Sequence, residues 1–467
     1  MLGIGQQNHL MAGAEPVGNG VRCRSLVLGL GATGLSLARF LSEQGDTVLI
    51  ADTREKPPGL EDLEKESLDV ELALGEYPAD WLDRVDRILV SPGVSLLHPM
   101  LLEAKNRGLP MSNDIGLLSQ RAHDTGVPLI AITGSNGKST VTTMLAAMLE
   151  KAAVRVRTGG NLGTPALELL SGDKPEFFLL ELSSFQLDLV SGLQAKVAAL
   201  LNVSADHMDR YADFAAYAAS KAKIFECCEQ AIVNRDDATV MSLRPPGCEY
   251  LSFGLDAPAG NDFGLLGSGL NDADCFLARG NEELLAVSEL PLAGRHNLAN
   301  ALAALAMADA LSLPMDKCVQ ALRVYNGLPH RTQLVVERDG IRWVDDSKGT
   351  NVGAAVAAAE GLQGPLLLIA GGQAKAQDFA PLAAALAGKT RVAILLGQDA
   401  EVLAEALLPV CPVKRAGSMR EAVEIAHAQA RRGDTVLLSP ACGSQDMFAD
   451  FRERGRVFSA AAAEVLS

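Results

Sequence analysis

The chain contains 467 residues, of which 48% are hydrophobic and 21% are charged, a composition typical of a globular protein with roughly three domains. The 41 Lys and Arg residues against 57 Asp and Glu residues give a formal net charge of −16, which argues against a surface that binds nucleic acid or an anionic membrane. A small anionic ligand would need cations gathered in a cleft. The lysines inside glycine-rich motifs, Lys138, Lys348 and Lys375, are therefore informative.

The cysteines and the start of the chain bear on cellular location. The eight cysteines form no C-x-x-C pair and no regular framework, which predicts reduced thiols, a cytoplasmic protein and no zinc site. No apolar run approaches the ~20 residues of a membrane-spanning helix, and the start of the chain lacks the apolar centre of a signal peptide. We expect residues 1–24 to form a flexible extension, because patterned sequence begins near Ser25.

Residues 25–52 predict a strand, a GLGATG turn, a helix and a second strand, which is a Rossmann-like opening. The glycines permit a tight turn and the close approach of a pyrophosphate, and Asp52 ends the second strand, where a ribose-binding acid is expected. By this motif alone the ligand could be NAD, or the turn could carry no ligand. A further strand over residues 87–94 ends in Ser-Pro-Gly and predicts another tight turn at the same sheet edge.

Residues 128–150, PLIAITGSNGKSTVTTMLAAMLE, predict a buried strand, a phosphate loop and an amphipathic helix. Gly134 and Gly137 allow the loop to wrap an anion, and the unpaired N–H groups at the helix start point toward phosphate. Lys138 supplies a cation, and Ser139 or Thr140 offers a hydroxyl to Mg²⁺. The segment therefore indicates an ATP site.

The match to the P-loop pattern G-x-x-x-x-G-K-[ST] is incomplete, because Ile132 stands where the pattern has its first glycine. A glycine-rich turn before a helix can also be a turn and nothing more. The strand and the helix on either side favour nucleotide binding here.

The strands that follow place polar residues near this loop. Glu181 ends the apolar strand 177–182, and His207 follows the strand 197–203, so both are candidates for binding Mg²⁺. Lys221 and Lys223 lie on a predicted helix, and composition cannot distinguish either from a solvated surface lysine. Residues 240–292 suggest antiparallel strands, and residues 294–311 predict an alanine-rich buried helix.

The chain beyond residue 327 restarts in a strand pattern. Three apolar strands alternate with helices near residues 379–388, 399–407 and 419–431, and this βα repetition predicts a parallel sheet. The loops that leave the strands carry polar groups that together suggest an anion pocket at one sheet edge. These groups are Lys348, Thr350, Lys375 and Ser444.

Seven segments together resemble the Mur ligases of peptidoglycan synthesis: TGSNGKST, ELSSFQL, NVSADHMDRY, GRHNLANALAA, GLPHR, DDSKGTN and SPACGSQDMF. The resemblance spans residues 25–467. GLGATG and DDSKGTN resemble the member that adds D-glutamate to UDP-N-acetylmuramoyl-L-alanine, rather than those that add L-alanine, diaminopimelate or lysine, or a dipeptide. Folylpolyglutamate synthases share the ATP-loop style but lack this opening. GGQAK, around Lys375, departs from the more acidic GG-D-K form of the family.

The resemblance implies an α/β fold of three domains. Residues 25–116 would form a Rossmann-like domain for the UDP substrate, residues 117–327 a P-loop-type ATPase domain with a parallel sheet, and residues 328–467 a Rossmann-like domain for the amino acid. It also implies a cytoplasmic, monomeric ligase that phosphorylates the substrate carboxylate with ATP and two Mg²⁺ ions, after which the amine of D-glutamate displaces phosphate. Its partners would be these small molecules, without nucleic acid or membrane.

The same resemblance implies a role for individual residues. ATP would be bound by Gly134, Asn136, Gly137, Lys138, Ser139, Thr140, Asn297, Asn300, Arg331 and Asp346. The UDP substrate would be bound by Ala32, Thr33, Asp52, Thr53, Arg54, Gly93, Asn161 and His207. D-Glutamate would be bound by Lys348, Thr350, Lys375, Ser444, Gln445 and Phe451. The metal ligands would be Ser139, Glu181, His207 and Lys221 as a carbamate, and the catalytic residues Lys138, His207, Lys221 and Lys348.

Two other classes of protein compete with this interpretation. A dehydrogenase using GLGATG would need no second phosphate loop, and it would bind a reduced nicotinamide. A catalytically silent nucleotide-binding regulator should have lost Lys138, Glu181 or His207, and all three are present.

Overall fold

The computed structural model describes residues 22–245, 247–267, 274–292, 294–362, 364–374 and 377–466. Lys375 and nearly all of the predicted extension over residues 1–24 lie outside them. Two compact units are present. The first holds the described residues up to Leu118 together with Pro165–Ser171, and the second holds Ser119–Thr164 and the described residues from Gly172 onward.

The first unit is built on a five-stranded parallel sheet. Its strands are β1 (Arg24–Leu28), β2 (Thr47–Asp52), β3 (Val70–Leu74), β4 (Arg87–Val90) and β5 (Met111–Ser112), and its helices are α1 (Ala32–Glu43), α2 (Leu60–Glu66), α3 (Pro99–Asn106) and α4 (Asp114–Thr125), which begins there. The strand order is β3-β2-β1-β4-β5. The tight turn predicted from GLGATG is present: Gly29 has φ of 90°, and a Cβ on Gly34 would lie 1.9 Å from the Gly29 carbonyl oxygen. Only glycine fits at Gly34.

The second unit contains two sheets, of which the larger has nine strands. They are β6 (Leu129–Thr133), β7 (Val156–Gly160), β8 (Phe177–Glu181), β9 (Ala195–Leu200), β10 (Gln230–Asn234), β11 (Tyr250–Phe253), β12 (Phe263–Leu266), β13 (Phe276–Arg279) and β14 (Glu282–Ala286). Their order is β14-β13-β12-β11-β10-β9-β6-β8-β7. β6 lies between β8 and β9 and is parallel to both, so the carboxyl ends of all three strands meet at one edge.

Helices α5 (Lys138–Lys151), α6 (Ser184–Asp188), α7 (Phe214–Ala222), α8 (Ala238–Leu243), α9 (Arg295–Ala310) and α10 (Met315–Arg323) accompany this sheet. The apolar face predicted for α5 is fully buried, and α9 packs beside it. α9 is buried on nearly all sides, because alanine side chains let its neighbours approach closely. Short 3₁₀ helices cover Lys223–Phe225 and Val287–Glu289 here, and Ala79–Asp83 and Ala166–Leu170 in the first unit.

The smaller sheet of the second unit has six strands in the order β15-β16-β20-β17-β18-β19. The strands are β15 (Gln333–Arg338), β16 (Ile341–Asp345), β17 (Leu366–Gly371), β18 (Thr390–Leu396), β19 (Val413–Arg415) and β20 (Thr435–Leu438). Helices α11 (Val352–Gly361), α12 (Ala380–Leu386) and α13 (Ala400–Leu407) contribute to one apolar layer, and α14 (Met419–Gln429) and α15 (Phe451–Val465) to another. This is a Rossmann-like arrangement.

The structure confirms the α/β class and the parallel sheets. The antiparallel prediction for residues 240–292 was wrong for β11, which pairs in parallel with β10 and β12, and right for the β12-β13-β14 meander. Gly and Pro punctuate parallel and antiparallel connections alike, so short strands in this region did not reveal their direction. Within the described ranges, no helix is long and apolar enough to cross a membrane.

Candidate active site

The phosphate loop, residues 133–139, joins β6 to α5. Gly134 and Gly137 have φ of 157° and 84°, conformations that side chains disfavour. Asn202, two residues after the end of β9, holds the loop: its carbonyl oxygen accepts from the Ser135 N–H at 2.9 Å, and its Oδ1 accepts from the Asn136 N–H at 2.8 Å. The loop therefore has a backbone shape set by glycine and by a neighbouring strand.

Two lysines meet at one carbonyl oxygen of this loop. Lys138, the first residue of α5, donates from Nζ to the Gly134 oxygen at 2.8 Å, and Lys221, in the last turn of α7, donates to the same oxygen at 2.9 Å. Desolvation lowers the pKa of both amines. The pKa of Lys221 falls well below its ordinary value, because the side chain is only 2% exposed and the Lys138 charge lies nearby. Burial and the neighbouring cation therefore both favour the neutral form of the Lys221 amine.

Glu181 ends β8 beside the loop. Its Oε1 accepts from Asn161 Nδ2 at 2.6 Å, and its buried Oε2 has no hydrogen-bond partner among the described residues. An unpaired buried carboxylate oxygen next to a phosphate loop is suited to a cation. In the part of the chain that the structure describes, no three His, Cys, Asp or Glu side chains form a metal cluster, so a site here would need other ligands too.

His207 follows β9 on the other side of the loop. It has φ of 57°, and its ring lies edge-on to Phe185 with centroids 4.9 Å apart. Its Nε2 is 3.7 Å from Asp206 Oδ2. His207, Glu181, Lys221 and Ser139 line one cavity of about 330 Å³. The four predicted metal-binding residues are thus brought together, although they come from four separate elements.

A second cavity, of about 340 Å³, lies on the other side of the loop. Asn297 and Asn300 of α9 line it, together with Phe253 and Thr140. Asn300 Oδ1 would lie only 2.5 Å from a Cβ on Gly137, which explains the glycine at this position. Both cavities are lined by Asn136, Gly137, Arg331 and Lys348, so they meet at the phosphate loop.

Arg331 and Asp346 bring the smaller sheet to this junction. Arg331 donates from Nη2 to Ser139 Oγ at 2.7 Å, and burial lowers its pKa. Asp346 accepts from the Thr332 N–H at 3.0 Å and from Ser439 Oγ at 2.7 Å. Burial raises the pKa of Asp346 to about 7 despite these bonds. Ser139, in the first turn of α5, thus has a hydrogen-bond partner that lies 192 residues away in the chain.

The predicted amino-acid residues lie at the same edge. Lys348 Nζ is 4.2 Å from the centre of the Phe451 ring, and burial, with the charges of Arg331 and Lys138, lowers the Lys348 pKa to about 8. Thr350 lines the 330 Å³ cavity beside Lys348. Ser444 is buried and Gln445 is exposed in the loop after β20, and Lys375 lies outside the described residues.

Arg454 of α15 was missed, because one arginine in an amphipathic helix carries no sequence signal. It is 2% exposed. Its guanidinium donates to Ser347 Oγ at 3.0 Å, to the Ser347 carbonyl at 2.8 Å, and to the carbonyls of Cys442 and Gly443 at 3.2 and 3.3 Å. Burial lowers its pKa to about 10. Arg454 thereby ties the loop after β16 to the loop after β20.

The predicted UDP-site residues of the first unit lie around the ends of β1, β2 and β4. Asp52 accepts from the Leu30 N–H at 2.7 Å and from the Arg54 N–H at 2.9 Å, and it pairs with the Arg54 guanidinium at 2.6 Å. Burial opposes ionisation of Asp52, but these donors together lower its pKa. Ala32 and Thr33 begin α1, Thr53 and Arg54 are exposed, and Gly93 follows β4.

Comparison with known protein families covers most of the chain. Residues 23–113 match the Mur ligase MurD-like N-terminal domain, residues 132–308 the Mur ligase middle domain, and residues 330–442 the Mur ligase glutamate ligase domain. A protein of Nitrosococcus oceani named UDP-N-acetylmuramoylalanine–D-glutamate ligase is 48% identical over 97% of this chain and 99% of its own. A protein of the same name from Pseudomonas syringae is 49% identical over 95% of this chain and 98% of its own.

Solved structures agree at the level of the fold. A UDP-N-acetylmuramate-alanine ligase of Thermotoga maritima, 16% identical, superposes with a TM-score of 0.60 over 95% of this chain and 100% of its own. A MurF structure from Acinetobacter baumannii, 18% identical, gives 0.58 over 95% and 91%. Family membership implies ATP-dependent catalysis, which normally needs Mg²⁺, and it sets aside the dehydrogenase interpretation. The chain belongs to the Mur ligase family.

Proposed function

We propose that this protein is an ATP-dependent ligase that adds D-glutamate to UDP-N-acetylmuramoyl-L-alanine in peptidoglycan precursor synthesis, releasing ADP and phosphate. One observation carries the mechanism: the two cavities meet at the phosphate loop, where Lys138, Arg331 and Lys348 converge. Three cations at one point suit a reaction that crowds anionic oxygens together. The relatives' names and the three matched domains support the choice of substrates.

In this proposal ATP occupies the 340 Å³ cavity, with its base near Asn297 and Asn300 and its phosphates on the loop. A substrate carboxylate oxygen attacks the γ-phosphorus and ADP leaves, which gives an acyl phosphate. The amine of the amino acid then attacks the acyl carbon, loses a proton and expels phosphate. Lys138 and Arg331 offset the charge on the transferring group.

Two Mg²⁺ ions complete the proposed site, and when bound they would neutralise phosphate oxygens and orient them in line. Ser139, Glu181 and His207 would hold them, together with a carbamate on Lys221. The unpaired Oε2 of Glu181 supports this assignment. A carbamate forms when a neutral amine attacks CO₂ and releases a proton, and the desolvation that lowers the pKa of Lys221 favours that neutral form. The charge of the residue thereby changes from positive to negative.

D-Glutamate would bind at Lys348, Thr350, Ser444 and Phe451, with Gln445 and Lys375 as further candidates. Each of its carboxylates needs a cation or several donors to offset desolvation. Once both are held, the amine can reach the acyl phosphate in only one configuration of the stereocentre. The proposed residues for the UDP substrate are Ala32, Thr33, Asp52, Thr53, Arg54 and Gly93 in the first unit, and Asn161 and His207 in the second. We further propose that the enzyme is monomeric and cytoplasmic.

The test is phosphate release from ATP with UDP-N-acetylmuramoyl-L-alanine and, in turn, D-glutamate, L-glutamate, L-alanine and diaminopimelate. We expect turnover with D-glutamate alone. Lys348→Ala should lower kcat/KM for D-glutamate at least about tenfold, because a charged hydrogen bond is worth on the order of 1.5–3 kcal/mol. The KM for the UDP substrate should barely change. Comparable wild-type use of L-glutamate, or a Lys348→Ala defect confined to the UDP substrate, would refute the assignment.

A further inference from the structure

Asn351 lies in one loop of the active site and makes direct contact with two other parts of it that come from distant stretches of the chain. It lies one residue after Thr350, in the loop that carries Lys348, and it is the N-cap of α11. It is 4% exposed. Its neighbours are Asn136 in the phosphate loop and Asp206 beside His207.

The hydrogen bonds of Asn351 use its whole amide. Oδ1 accepts from the Ala354 N–H at 2.8 Å and from Asn136 Nδ2 at 3.3 Å. Nδ2 donates to Asn136 Oδ1 at 3.1 Å and to Asp206 Oδ2 at 3.1 Å. The orientation is chemically determined, because the helix N–H requires an acceptor and the carboxylate requires a donor. The two amides thus form a reciprocal pair.

Other contacts hold Asn136 in place for this pairing. Asn202 Oδ1 accepts from the Asn136 N–H at 2.8 Å, and Asn202 Nδ2 donates to the Asn136 carbonyl oxygen at 3.0 Å. The first turn of α11 also lies close to the loop: a Cβ on Gly353 would be 2.9 Å from Ser204 Oγ and 3.2 Å from Asn136 Nδ2. A rearrangement of the phosphate loop would therefore disturb Asn351.

We infer that Asn351 is a positioning residue that couples nucleotide on the phosphate loop to the binding of the amino acid at Lys348 and Thr350. The inference rests on the proposed function, because it takes that amino acid to be D-glutamate. Bound nucleotide that fixes the conformation of the phosphate loop also fixes Asn136. Through the amide pair, Asn136 then fixes Asn351 and the loop that carries Lys348 and Thr350. Each ligand must then strengthen the binding of the other by the same factor.

Substitutions that keep the helix cap separate coupling from simple helix support. Ser and Asp cap helices as well as Asn does, so Asn351→Ser and Asn351→Asp should both keep α11 capped. Asn351→Ser loses both donations and should raise the KM for D-glutamate on the order of tenfold, since one of them goes to a carboxylate. Asn351→Asp sets a carboxylate against Asp206 and should raise it about a hundredfold. A residue that only caps the helix predicts wild-type behaviour from both.

The decisive readout is the dissociation constant of D-glutamate with and without a non-hydrolysable ATP analogue. Wild type should bind D-glutamate more tightly with the analogue, and in Asn351→Ser the ratio of the two constants should approach one. Asn136→Ala combined with Asn351→Ser should raise the KM for D-glutamate by less than the two single effects combined, because both changes remove the same amide pair. The inference would be overturned if the effects of the two substitutions were additive, or if Asn351→Ser kept the wild-type ratio of the two dissociation constants. Neither result would affect ligation by the wild type. A wild type that fails to ligate D-glutamate would refute the proposed function, and the inference with it.

Discussion

The phosphate loop and the amino-acid loops, residues 345–351 and 439–445, are built in different ways. The phosphate loop is one short stretch whose shape comes from two glycines and whose cation, Lys138, begins the next helix. The amino-acid loops leave the neighbouring parallel strands β16 and β20, and the guanidinium of Arg454 joins them from a third element. We therefore expect activity at the phosphate loop to depend on individual side chains such as Lys138. Binding at the amino-acid loops should depend on the Arg454 hydrogen bonds that join the two loops.

The largest effect should come from the phosphate loop. Lys138→Ala should lower kcat by at least about 10³, because it removes a cation from a transition state that gathers anionic oxygens. Folding should survive, since the hydrogen bonds of Lys138 go to two carbonyl oxygens of the loop itself, those of Gly134 and Ser135. Turnover at saturating ATP measures kcat, and a thermal melt measures the stability of the fold. Lys151→Ala, at the exposed end of the same helix, is the matched control. Near-normal turnover of Lys138→Ala would disprove the phosphate-loop assignment.

The second prediction tests whether activity at the phosphate loop also requires Lys221, which α7 places beside the loop. Lys221→Arg keeps a positive charge but cannot form a carbamate, so we expect a loss on the order of 10² in kcat. Lys223→Arg, two residues along and bonded to the Asp188 carbonyl, should be nearly silent. Wild-type activity should also fall in CO₂-depleted buffer and return with bicarbonate. An active Arg variant, or wild-type activity that does not respond to CO₂ depletion, would contradict the proposal.

Arg454→Lys probes the cross-link between the amino-acid loops. Lysine lacks the planar fork that reaches Ser347 and the carbonyls of Cys442 and Gly443 together, so stability should fall by about 1.5–3 kcal/mol. The KM for D-glutamate should rise about tenfold while the KM for ATP stays constant. Arg456→Lys, on the exposed side of α15, serves as the control. Equal changes in both KM values would show that Arg454 supports the fold as a whole and not these loops.

The smallest effect is a pH dependence. The Lys348 pKa is lowered from 10.5 to about 8 by burial, so the cation that attracts the amino acid is present below pH 8 and is lost as the pH rises through 8. The ratio of kcat/KM for D-glutamate in wild type to that in Lys348→Arg should therefore fall about fourfold between pH 7 and pH 8.5. Arginine keeps its charge, and titration of the glutamate amine cancels in the ratio. A flat ratio would place the Lys348 pKa well above 8.

The two regions also differ in how much of their structure can be predicted from the sequence. Residues 128–150 carry their structure in a local pattern: the sequence shows the apolar spacing of α5, the glycines of the loop and the lysine at the helix start. The same holds for the GLGATG turn and for the βα repetition of the smaller sheet. Backbone conformation at a glycine and burial of one helix face depend on neighbours within a few residues.

Contacts between distant segments could not be read in this way. The family resemblance named Lys221, but only the tertiary structure shows its amine 2.9 Å from the Gly134 carbonyl oxygen, in a place where burial lowers its pKa. Arg454 carried no pattern of its own, and the motifs TGSNGKST and DDSKGTN, which contain Asn136 and Asn351, did not indicate that these two side chains pair. Desolvation and hydrogen bonding depend on whichever groups folding brings together, and a chain written in order does not contain those distances. The sequence by itself thus determined the elements and the chemistry each could offer, and the tertiary structure decided which of those groups meet.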